Sequence, residues 1–166
     1  MEKNKKNQQE FIEKVIQIDR ISRTVKGGRR IRFRALVVIG DMKSKVGVGL
    51  AKAQDVVGAI SKAIADAKKN IVSINIVNGT IKHDIKYKYC GAIIYLKPAP
   101  KGTSIVAGGS LRAVLELSGI KNVVGKIIGS GNKINNVYAT YHALQSFQQK
   151  NNIKVEKTET KNKKSK

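Results

Sequence analysis

The chain has 166 residues, is 41% hydrophobic and carries a formal charge of +22. That apolar fraction excludes a wholly disordered chain and supports one modest domain, or two very small ones with a shared or split core. The excess charge runs along the whole length, with 17 Lys/Arg against 7 Asp/Glu in residues 1–75 and 16 against 4 in residues 76–166, so a neutralising polyanion, nucleic acid first, is the expected partner.

Residues 1–9 (MEKNKKNQQ) are polar, lysine-rich and without aromatics. They hold too little apolar surface to offset the entropy of ordering, which predicts a disordered basic N-terminus. The first element is a hairpin in which VIQIDRISRT and RIRFRALVVIG flank the turn at residues 25–29. On the second strand Ile31, Phe33, Ala35, Val37 and Ile39 share one face, and Arg30, Arg32 and Arg34 the other. On the first, Ile16 and Ile18 share a parity that Ile21 breaks, which predicts a bulge near Asp19 and Arg20. A turn at Gly40 and Asp41 leads to a short strand, KVGVGLAKA, and Asp55 is a plausible N-cap. Val56, Ile60, Ala63, Ile64 and Ala67 follow at helical spacing, with Lys68 and Lys69 suited to the helix C-terminus.

In the second half, IVSINIV, GTIKHDIKYKY and GAIIYLKPA read as three strands separated by Asn78-Gly79 and Gly91. The turn-rich PAPKGTSIVAGG opens the helix SLRAVLELSG, with Ser110 as candidate cap and Gly119 as stop. KNVVGKIIGSG is a strand candidate, and a last helix runs from Asn132 to about Phe147. Residues 148–166 repeat the composition of the N-terminus and predict a disordered basic tail. The order βββα then βββαβα gives an α+β chain of two small two-layer α/β domains, over residues 10–72 and 73–147.

The strongest local signal is residues 20–34, where Arg20, Arg23, Lys26, Arg29, Arg30, Arg32 and Arg34 meet no acid. A two-stranded ribbon can enter a groove, and the amides of Gly27 and Gly28 can approach phosphates with no Cβ in the way. The bland alternative is a solvated strand face that limits edge-to-edge pairing. Residues 47–52 (GVGLAK) superficially resemble a phosphate loop, but lack the third glycine and βαβ context of a dinucleotide site and the Gly-Lys-Ser/Thr of a P-loop. Close packing of that strand against the following helix is the alternative. Gly102, Gly108 and Gly109 before a helix could present an anion site, yet no acid/base pair accompanies them. Glu116 lies at (i, i+4) from Arg112 and predicts a helix ion pair. Cys90 is the only cysteine, so no intrachain disulfide or thiolate cluster can form and a reducing cytosol fits. His83 and His142 lack a ligand pattern. No apolar run approaches the roughly 18 residues of a membrane span, and neither catalytic residue, metal nor cofactor is expected.

TVKGGR (24–29), VVIGD (37–41), KVGVGLAKA (45–53), NGTI (78–81), KPAPKGTSIVAGGSLRAVLELSGIKNVVGK (97–126) and GSGNKINNVYAT (129–140) resemble, in order, the signature blocks of the universal fifth protein of the small ribosomal subunit. The resemblance covers about residues 10–147, and AGGxxRAVLExxGxxNV is its most specific part. It implies an N-terminal domain like a double-stranded-RNA-binding domain without its first helix, and a C-terminal two-layer domain with a left-handed βαβ crossover. Pattern alone gives a right-handed one in about 98% of cases.

The resemblance further implies a cytoplasmic, structural, non-enzymatic ribosomal role. It implies binding of 16S rRNA between head and body, and the residues expected to make that contact are Arg20, Arg23, Lys26, Gly27, Gly28, Arg29, Arg30, Arg32, Arg34, Lys45 and Lys52, of which Arg32 and Arg34 are more basic than the family's usual residues there. It implies neighbours in small-subunit proteins four and eight, mRNA near its entrance, and no homo-oligomer. Gly102, Thr103, Ser104, Gly108, Gly109 and Arg112 resemble the accuracy-linked interface with protein four. Met42, Ser44 and Ser104 stand where the family favours glycine, and Asp84 and Lys133 where proline is frequent. The rival readings are a free-standing duplex-RNA-binding module and a small kinase built on the second domain.

Overall fold

The computed structural model describes the backbone of residues 11–162 and side chains through Phe147, so the expected disorder of residues 1–9 lies outside the described residues. The elements are β1 (Ile12–Val25), β2 (Gly28–Gly40), β3 (Lys45–Ala53), α1 (Val56–Lys69), β4 (Ile71–Ser73), β5 (Ile85–Tyr89), β6 (Ala92–Pro98), β7 (Ile105–Val106), α2 (Gly109–Leu117), β8 (Val123–Ile127) and α3 (Lys133–Asn162). They form two four-stranded sheets, β1-β2-β3-β4 and β5-β6-β8-β7. All neighbours are antiparallel except β7 and β8, which are parallel across the α2 connection.

The expected α+β chain, with strands and helices in both halves, is present, with local corrections. The N-terminal part of IVSINIV is not the first strand of the second sheet: β4 pairs with β3 and closes the first. The second sheet gains β7 instead, two residues in a stretch expected to be turn. The β1 bulge lies between Val15 and Gln17, one turn of pleat earlier than Asp19 and Arg20, and it turns Ile16 toward the central core. The last helix runs to Asn162, past the stop expected near Phe147 and into the tail expected to be disordered, of which residues 163–166 lie outside the described residues.

Both faces of the first sheet are covered. Ala35, Val37 and Ile39 pack with Ala59, Ala63 and Ala67 of α1. On the opposite face, Leu36, Val38, Val46 and Val48 join one core with Leu111, Val114 and Leu115 of α2, Leu144 and Phe147 of α3, and Ala92, Ile94, Leu96 and Val123 of the second sheet. The layers are therefore α1, first sheet, α2 with α3, second sheet. Only the outer face of the second sheet has no layer over it among the described residues. Sandwiching explains α2, whose Ser110, Leu111, Ala113, Val114, Leu115 and Leu117 are all buried.

Local chemistry sets the ends. The Asp55 carboxylate accepts from Gly58 N at 2.7 Å, the expected N-cap, and Lys68 and Lys69 occupy the last turn. The N-cap of α2 is Gly108, and Ser110 lies buried inside the helix instead of capping it. The glycines of the GVG segment serve packing: a Cβ on Gly49 would overlap the Ala63 carbonyl, and one on Gly47 the Ala67 carbonyl. In the β2–β3 turn, one Asp41 oxygen accepts from the backbone N–H of Lys43, Ser44 and Lys45 at 2.8–2.9 Å.

Burial pushes the Asp41 carboxyl up, but those backbone donors outweigh it and hold it below the ordinary carboxylate value. Its contribution to stability is therefore complete above the unfolded pKa of about 3.9 and lost as pH falls through the lower folded value. Asp41→Asn is expected to lower the melting temperature at neutral pH. It should also flatten the loss of melting temperature between about pH 4 and 2, read by melts of both proteins across that range.

Candidate nucleic-acid interface

β1 and β2 run on beyond the layers that cover their bases, and from Arg20 to Arg32 the paired strands form a mostly exposed ribbon. Val25 pairs with Gly28, so the turn has only Lys26 and Gly27 at its tip. Gly27 has φ of +88°, a left-handed conformation that a side chain would strain. Cross-strand register decides the faces. Arg23 lies opposite Arg30 and Ile21 opposite Arg32 on one face, whereas Arg20 opposite Phe33 and Thr24 opposite Arg29 lie on the other. Cations thus project from both sides. Like charges directly opposed destabilise a bare sheet, and Arg23 with Arg30 is such a pair; an anion between them would relieve the strain.

Arg34 differs from the rest. It lies opposite Asp19, one residue outside the acid-free stretch, and its Nε and Nη2 donate to the Asp19 carboxylate at 3.1 and 2.7 Å. Gln17 donates to the other Asp19 oxygen. The Arg34 guanidinium, then Gln17, hold the Asp19 carboxyl below its ordinary value against a small desolvation effect. Arg34 is therefore held at the base of the ribbon by Asp19, with 30% of its side chain exposed. Lys52 is exposed and lies opposite Arg34, close to that base. Lys45 is half-buried at the other end of β3, paired with Ser73, and is not brought to the ribbon.

The second group of expected residues converges. Gly102 and Ser104 have φ of +96° and +58°, and the loop they shape is held by Asn122, whose Oδ1 accepts from both N–H groups at 3.0 and 3.3 Å. Lys121 N and Asn122 N donate in turn to Gly79 O in the Asn78-Gly79 turn. Thr103 is half-buried, and Gly108 and Gly109 are exposed at the start of α2. The expected Arg112–Glu116 ion pair is absent. Arg112 Nη2 donates to Ile105 O at 3.2 Å, and Glu116 binds Lys14 Nζ of β1 at 2.9 Å. Arg112, Ser104 and Ile105 line an open groove with Met42, Glu116, Gly119, Ile120 and Lys121. Sequence reasoning missed Asn122 as the loop's anchor, although it is the fixed asparagine of the AGGxxRAVLExxGxxNV block.

A model of the ribosomal protein S5 N-terminal domain matches residues 11–75, and one of the S5 C-terminal domain matches residues 87–157. Two proteins described as small ribosomal subunit protein uS5, from Campylobacter jejuni strains 81-176 and 81116, are each 50% identical over 140 residues, which is 84% of this chain and 95% of each relative. The chain belongs to the ribosomal protein S5 family. In this S5-family chain, two of the three residues at favoured glycine positions, Met42 and Ser104, have positive φ, 54° and 58°. Ser44 does not. Lys133 is the first residue of α3, where proline is favoured because its missing N–H has no partner to lose. His142 lies among the rings of Tyr87, Tyr89, Tyr138 and Tyr141, and His83 meets Phe147 edge-on at 4.9 Å. No helix among the described residues is long and apolar enough to cross a membrane.

Proposed function

We propose that this chain is a structural constituent of the small ribosomal subunit that binds 16S rRNA chiefly through the β1–β2 ribbon. The observation that carries the reading is the ribbon itself: Arg20, Arg23, Arg29, Arg30 and Arg32 project from both faces of a hairpin with a two-residue tip and no acid opposite any of them. A finger of that shape fits between phosphate backbones, and its glycine tip allows close approach. In this reading Lys26, Gly27 and Gly28 complete the contact and Lys52 extends it, whereas Arg34 and Lys45 act structurally. The two family domains stabilise the head relative to the body in the cytoplasmic ribosome, beside proteins four and eight and near the path of entering mRNA. No chemistry is assigned to the chain.

The groove around Ser104 and Arg112 is the contact with small-subunit protein four, through which accuracy is set. Asn122 keeps its rim in shape, and Arg112, half-freed from its own helix, is an anchor of the residue type enriched where truncation weakens interfaces most. Two measurements test the proposal. The chain is expected to remain a one-to-one constituent of small subunits washed with high salt; loss in that wash would favour a free-standing RNA-binding module. Arg112→Leu is expected to change misreading in a translation assay while the melting temperature moves by no more than about 4 °C, the equivalent of one hydrogen bond. Unchanged misreading removes Arg112 from the interface.

A further inference from the structure

The second sheet buries one face and leaves the other bare. Side chains alternate along its strands, so register fixes what the bare face carries. Tyr95 of β6 stands directly between Lys86 of β5 and Lys126 of β8. The next rows hold Lys88 opposite Ile93, and Lys97 opposite Val124, which is followed by Val106. Lys86, Lys88, Lys97 and Lys126 are exposed, and none forms an ion pair among the described residues. The one carboxylate at this face among the described residues, that of Asp84, accepts from the Tyr95 hydroxyl at 3.2 Å, which restrains the phenol ring. Val124 and Val106 are 39% and 51% exposed and add apolar surface in the adjoining row.

We propose that this face binds single-stranded RNA, with a base stacked on Tyr95 and phosphates held by Lys86, Lys88, Lys97 and Lys126. A solvated lysine face that merely protects a sheet edge is the bland alternative and accounts for the cations, since Lys86 and Lys88 lie on the edge strand β5, Lys97 lies past the end of the β5–β6 pairing and Lys126 past the two residues that β7 covers. It gives no role to Tyr95, which is paired on both sides and exposes no edge. A restrained aromatic ring flanked by cations on both sides suits a ligand that presents a π-face and negative charge together. Single-stranded nucleic acid does so at every nucleotide, whereas a duplex hides its bases. An acidic protein surface would satisfy the lysines and leave the ring without a role. The site is separate from the ribbon and does not depend on it.

The test uses the full chain carrying Arg29→Ser, Arg30→Ser and Arg32→Ser, which removes three of the ribbon's six exposed cations. The probes are a fluorescein-labelled oligouridylate of about ten nucleotides, within the span such surfaces cover, and a duplex of equal length. Tyr95→Ser is expected to weaken oligouridylate binding roughly tenfold or more while leaving the duplex unaffected, and Tyr95→Phe to retain binding because the π-face survives. Lys86→Ser with Lys126→Ser should weaken binding and make its salt dependence shallower by about 1.4, at ~0.7 per single-strand phosphate. Equal affinity of Tyr95→Ser and its parent overturns the proposal, leaving a non-specific polycationic surface. So does capture of this face by a purified small-subunit protein in competition with the RNA. A melt of each variant accompanies the titrations, and the exposed lysine positions are expected to leave it unchanged.

Discussion

Alanine at position 49 is expected to cost about 3 kcal/mol of stability, at the upper end of the range for overpacking. The added methyl meets backbone, not a yielding side chain: it would overlap the Ala63 carbonyl oxygen and lie 2.6 Å from Ala67 N. Relief requires α1 to lift from β3, which would loosen Ala59, Ala63 and Ala67 from Ala35, Val37 and Ile39 together. For a chain of this size the loss corresponds to a fall in melting temperature of roughly 6–12 °C. Gly109→Ala is the control, since its Cβ would meet nothing within 4 Å at the start of α2 and alanine favours helix. A Gly49→Ala protein that melts with the parent would show that the helix does not sit as close as described.

The second large effect concerns affinity. Arg29→Ser, Arg30→Ser and Arg32→Ser together are expected to weaken binding to an rRNA fragment about a hundredfold at ~0.15 M salt. With about three fewer phosphates neutralised, at ~0.9 each, the slope of log K against log salt becomes shallower by ~2.7, which extrapolates to that factor from a 1 M reference. The fold should hold or gain slightly, because the like-charge pair Arg23–Arg30 disappears. Arg34→Ser should do the reverse. It strips a part-buried Asp19 carboxylate of its guanidinium and lowers stability while sparing most of the affinity. Isothermal RNA titrations at several salt concentrations, with a melt of each variant, separate the two. A salt slope unchanged from the parent would remove the ribbon from the RNA contact, and an unfolded triple variant would overturn the assignment of these arginines to solvent-facing positions.

What the sequence displayed was what repeats within a few residues. The alternation around Phe33, the helical spacing from Val56 and the capping carboxylate of Asp55 each need only a short window, and each is present. The run Ala35 to Ile39 held a further message, since five consecutive buried residues cannot belong to a strand with one wet face. Reading only the odd positions as core hid Leu36 and Val38, and with them the packing of the first sheet on α2 and α3. β4 and β7, three and two residues long, are too short to show a period. The partner of Glu116 was out of reach for another reason: Lys14 lies 102 residues away, and (i, i+4) spacing offered a nearer candidate. In the candidate site, the arginine row was readable but Arg34's commitment was not, because it depends on the register that sets Asp19 across from it.

The first sheet belongs to two cores at once, and this binds the two halves into a single cooperative unit. Excision of the segment that the N-terminal family model matches would bare Leu36, Val38, Val46 and Val48 over one whole side, a sticky plate in water. The second half alone would lose the floor under α2 and α3. Heat should therefore dismantle the chain in one calorimetric event with no half-folded plateau, since each half is the other's missing layer.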